Sequence, residues 1–78
     1  MPYDCSVTIF IALLEEGTAV WRPVQAEALG NDLFRIVSQN PDPEDEHWEF
    51  SSGEIVRCAR QVLHGKNAGV HLVAVARA

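Results

Sequence analysis

Seventy-eight residues make one small domain, 1–78, and its 47% apolar, 22% charged composition lies outside the disordered class. Eleven acids against six bases give a net charge of −5, which repels a phosphate backbone and argues against nucleic-acid binding. No apolar run approaches the roughly 18 residues of a membrane span, and Met1-Pro2-Tyr3-Asp4 does not read as a signal peptide, so the expected compartment is the cytoplasm, with reduced thiols.

In chain order, the first element is Val7 to Leu14, apolar except for Thr8. Its β-branched and aromatic residues favour a strand. Ile9, Ile11 and Leu13 alternate with Phe10, Ala12 and Leu14, so both faces are apolar and both need cover. "EEGT" reads as a hairpin turn. Ala19 to Leu29 is extended again, and Pro23, which lacks an amide proton, requires a free edge or a bulge. A short helix over Val24–Leu29 is the competing reading.

"GND" at Gly30–Asp32 is a turn, and Leu33 to Ser38 is the next strand. Gln39 to Glu46 holds two prolines and dense acids, which exclude a strand or helix interior. A brief "HWEF" strand follows, then a turn at "SSG", a strand over Glu54–Leu63, and a closing strand over Val70–Arg77. Glu54–Leu63 also has near-helical apolar spacing, with Gly65 placed as a stop. Five to six short strands in a chain this size predict an all-β fold with at most one short helix. A compact SH3-like barrel fits first and an OB-like barrel second.

Three phrases of this chain stand out: GTAVWRPVQAE, DPEDEHWEF and GEIVRC. Together they resemble a family of small bacterial proteins with the pattern GTxVWRPVxAE, DPEDExWEF, GxxVRC, some of which travel as gene cassettes in integrons and other mobile elements. The resemblance covers Glu15 to Cys58. It implies no activity, so no catalytic residue is carried over from it.

The acid-rich "DPEDEHWE" is tested first as a cation site. Asp42 and Glu44 alternate as calcium ligands do, but His47 stands where a sharp glycine turn belongs. His47, His64 and His71 are scattered and Cys5 and Cys58 form no ligand pair, so no zinc site and no cofactor is expected. Cys58 in an apolar strand reads as inert packing, its neighbour Arg57 pointing to the other face. No motif marks a nucleophile with its base, and no catalytic residue is assigned.

Aromatic, arginine and acidic residues remain: Trp21, Arg22, Glu46, Trp48 and Arg57 are the candidate partner-binding set, a shallow groove for a protein or peptide segment. In the competing reading Trp48 and Phe50 are core, Trp21 covers the barrel mouth, and the acids form a solvated loop. The function expected is a non-enzymatic interaction or adaptor module. The alternative is a small-molecule binder or enzyme with a cleft between subunits near Trp21 and Trp48. Phe10, Ala12 and Leu14, facing away from a single small core, predict a homo-oligomer, most simply a dimer. Charge is also uneven: Asn40–Glu54 holds six acids and no base, Ile55–Ala78 four bases and no acid. Pairing of the two segments is expected.

Overall fold

The computed structural model describes residues 6–14, 20–42, 44–65 and 68–78. Six strands follow one another: β1 (Ser6–Leu14), β2 (Trp21–Gly30), β3 (Leu33–Ile36), β4 (His47–Trp48), β5 (Ile55–Leu63) and β6 (Gly69–Arg77). The fold is all-β, with no α-helix among the described residues. Both helical alternatives are thereby corrected. Val24–Leu29 lies within β2, laddered to β1 on one side and β3 on the other, and Glu54–Leu63 supplies β5. Pairing on both edges overrides the weak helix preference of "QAEAL".

The sheet order is β2-β3-β5-β6-β1-β4, and an additional β2–β1 pairing curls it into a small barrel. Five strands form the ring, each antiparallel to the next except at the closure, where β1 meets β6 in parallel through Phe10 and Val73. An odd number of strands makes this unavoidable, because an up-down alternation round the ring ends with two neighbours pointing the same way. The sixth strand, β4, adds to the far end of β1 at Leu13 and Leu14.

The β2–β3 connection is the expected "GND" turn. Asn31 and Asp32 both have positive φ, 56° and 63°, which is the backbone whose twist suits a two-residue hairpin. Pro23 also sits where the sequence requires. The amide and carbonyl of Gln25 face Ser38 and Val37, and residues two apart on a strand direct these groups to the same edge. Pro23 therefore turns its missing donor toward the edge that β3, pairing only from Ala26 to Gly30, does not reach. The "EEGT" turn and Cys5 lie outside the described residues.

Alternation fills the barrel. Ile9 and Ile11, Val24 and Ala26, Phe34 and Ile36, Val56 and Cys58 all point inward, joined by Trp48, Phe50 and Ala74. A second, smaller cluster lies on the other face of β1, where Phe10 packs with Leu63 and Val73 and Trp21 closes over them. This corrects the expectation for Phe10. It is only 6% exposed within one chain, Ala12 is half-buried, and only Leu14 keeps substantial exposure. Within the chain, the cover of Phe10 is the β5–β6 hairpin. Val75 is an extra residue in β6, between the pairs Arg57–Ala76 and Cys58–Ala74, and such a bulge sharpens twist and bends the hairpin.

Candidate functional site at the capped end of the barrel

Strand directions place the carboxyl ends of β1, β3 and β6 and the first residues of β2 and β5 at one end of the barrel. The acidic segment between β3 and β5 lies across that end. Two arginines hold it there, both on the inner face of their strands by register: Arg22 pairs across from Ile11, and Arg77 from Val56. An arginine at the last inward position of a barrel keeps its stem on the apolar core and its guanidinium at the rim.

Arg22 grips Glu46 with two parallel bonds, Nε donating to Oε1 at 2.7 Å and Nη2 to Oε2. The indole Nε1 of Trp48 donates to the same Oε1 at 2.7 Å. The side-chain amide of Asn40 donates to the carbonyl of Glu46, and its oxygen receives the amide of Asp42 at 2.9 Å. Glu46 is only 14% exposed in its side chain, against 43% for Arg22. Arg22 first, and then Trp48, hold the Glu46 carboxyl below the ordinary glutamate value, against the opposing pull of burial. The same contact raises Arg22.

Glu54 repeats the arrangement. It accepts the backbone amide of Ser51 and, at 2.6 Å, the Nε of Arg77, whose guanidinium also lies 5.1 Å above the Phe50 ring. Those two partners, in that order, depress its carboxyl. Arg77–Glu54 is the expected pairing of the basic and acidic segments. Arg57 instead donates to the carbonyl of Asn31 at 3.4 Å.

The proposed partner-binding residues thus divide. Arg22, Glu46 and Trp48 meet in one network. Trp21, next to Arg22 but on the opposite face, belongs to the outer cluster with Phe10, and Arg57 is exposed on β5 beside the β2–β3 turn. The two tryptophans thus lie on different faces of the barrel wall, Trp48 and Phe50 being buried, at 9% and 3% exposure, in the inner core. The acids also divide, Asp42, Glu44 and Asp45 being exposed while Glu46 is structural. Asn40, absent from the sequence-level set, is the residue that ties the loop to Glu46. Its position two residues before Asp42 is an ordinary side-chain-to-backbone turn signal.

Beside this network lies an open pocket of about 410 Å³ lined by Asn40, Glu46, His47, Trp48, Ser51 and Ser52. Two of its polar groups already serve the cap: Glu46 is engaged by Arg22 and Trp48, and Asn40 by the loop backbone. Cys58 is a free, buried thiol, pushed up to about 11 by burial and then by the charge of Asp32, which suits packing rather than nucleophilic attack. Among the described residues no three His, Cys, Asp or Glu side chains gather as a metal cage, and no helix is long and apolar enough to cross a membrane. Comparison with family models, curated proteins and solved structures finds no match to this chain.

Proposed function

We propose that this chain is a non-catalytic β-barrel module, SH3-like in scale, that acts through protein contacts in the cytoplasm. The observation that carries this reading is how the surface is divided. The pocket's carboxylate and amide are committed to the cap, whereas large apolar side chains remain in water, foremost Val62 and Val70 at 61% and 63% exposure. Unsatisfied apolar surface on strands is matched by another polypeptide more readily than by a small polar metabolite. The resemblance to small cassette-borne bacterial proteins is part of the same reading, since an accessory or immunity-type partner needs a contact surface and no active site.

A second reading, a small-molecule binder or enzyme, draws on the pocket beside Trp48, whose 410 Å³ lies within the size range of ligand sites. Thermal melting with a panel of small metabolites, run beside cross-linking of the protein in its host, separates the two. Cross-links to one defined protein and no metabolite shift are expected. A dose-dependent rise in Tm that Ser51→Trp abolishes would replace the first reading with the second, because a ligand stabilises by mass action.

A further inference from the structure

The far end of the β5–β6 hairpin is the least satisfied part of the fold. On its outer side β5 is paired by β3 only from Ile55 to Arg57, and the last described bond on that edge runs from the Cys58 amide to the Asp32 carbonyl at 2.9 Å. Beyond it, no described strand pairs with Ala59–Leu63 on that side. Arg60, Gln61 and Val62 are exposed in succession; one face of the ribbon rests on Phe10 through Leu63 and His71, while the face carrying Arg60, Val62 and Val70 is exposed. Val62 and Val70 face each other across the hairpin and are the most exposed large apolar residues described. A lone two-stranded ribbon is marginal in water, and an open edge next to exposed valines is a template for another strand.

Backbone parity says which groups that strand would meet. The Cys58 amide points to the open edge and the Ile55 carbonyl to β6, where it accepts the amide of Ala78. The extra residue at the bulge lies in β6, so β5 keeps its alternation and directs Arg60 and Val62 outward.

We propose that a second copy of this chain pairs antiparallel along this edge, about a two-fold axis at Gln61, giving a continuous β6–β5–β5–β6 sheet. The inference rests on the protein-contact reading above and names its surface. That axis sets Arg60 opposite Val62 of the other copy, twice. Each is a hydrogen-bonded pair, so four backbone bonds form. The residue types suit a copy of themselves. Each Arg60 stem lies over a valine instead of meeting the other arginine, and the central pair is Gln61 with Gln61, an amide that both donates and accepts. The described part of the open edge carries no acid, so no carboxylate is buried. The two valine pairs come to lie on one face of the four-stranded sheet, each Val62 flanked by the Arg60 stem of the other copy.

Sedimentation of the full chain at micromolar concentration, with three variants, tests this. The wild type is expected to be a dimer. Gln61→Glu sets like charges directly opposite each other, and Val62→Pro removes an edge donor without touching the β6 ladder; each should weaken the dimer at least about tenfold while the circular dichroism stays that of the wild type. In a Cys5→Ser background, Gln61→Cys should oxidise to a single cross-linked dimer, since a non-hydrogen-bonded antiparallel pair brings its Cα atoms to about 4.5 Å. A wild-type monomer, or a dimer that resists both substitutions, overturns the proposal. So does a Gln61→Cys dimer that fails to cross-link on oxidation. A monomer that still cross-links to one defined host protein overturns it too, yet leaves the protein-contact reading standing.

Discussion

Glu46 shows how little a residue's composition class says about its role. It is one of four acids within five residues, yet it alone is shielded, and it accepts three charge-assisted or indole bonds from Arg22 and Trp48. Hydrogen bonds to a charged group are worth more than neutral ones, but Arg22 is 43% exposed and water screens the pair. Glu46→Gln should therefore cost about 1–2 kcal/mol in denaturant unfolding. Glu44→Gln with Asp45→Asn, both at exposed positions, should stay within about 0.5 kcal/mol. Equal losses from both would mean that the Arg22–Glu46 network does not hold the cap.

At the scale of elements, the β2–β3 turn carries a local cost that substitution can relieve. Asp32 sits at φ 63°, a left-handed backbone that strains a side-chain-bearing residue and not glycine. Asp32→Gly creates an Asn-Gly turn, the pair most at home in this geometry, and leaves the carbonyl that accepts the Cys58 amide. It should raise stability by roughly 0.5 kcal/mol, read as a rise in Tm. A fall would show that the Asp32 side chain stabilises the turn. The β5–β6 hairpin is the other element whose role depends on its length. Nine residues on each side let it close the ring near Val73, cover Phe10, and still extend past the β2–β3 turn.

For the whole molecule, the cap makes the fold acid-sensitive. Glu46 and Glu54 both titrate below the ordinary glutamate value of 4.5, Glu46 because of Arg22 and Glu54 because of the Ser51 amide followed by Arg77. A carboxyl depressed by folding contributes stability that is fully present above its unfolded value and is lost as pH falls through its folded one. Stability should hold from pH 7 down to about 4.5 and decline below it. The Glu46→Gln, Glu54→Gln double variant should start lower and decline less over the same window. Denaturant midpoints across the pH series measure both, and parallel curves for the two proteins would remove these carboxylates as the cause.

The sequence by itself determined the fold class, because period-two apolar alternation between turn signals leaves strands little competition in so short a chain. It also determined the place of Pro23 and the turn at Gly30–Asp32. Each of these follows from backbone chemistry or from neighbours close along the chain. Only the tertiary structure decided what covers Phe10, since that depends on a hairpin some fifty residues later bending over β1 at a bulge. It also separated Trp21 from Arg22 and Trp48, and Glu46 from the other acids. Those distinctions depend on which face of a closed barrel each residue reaches, and ring closure is a long-range event that no local spacing encodes.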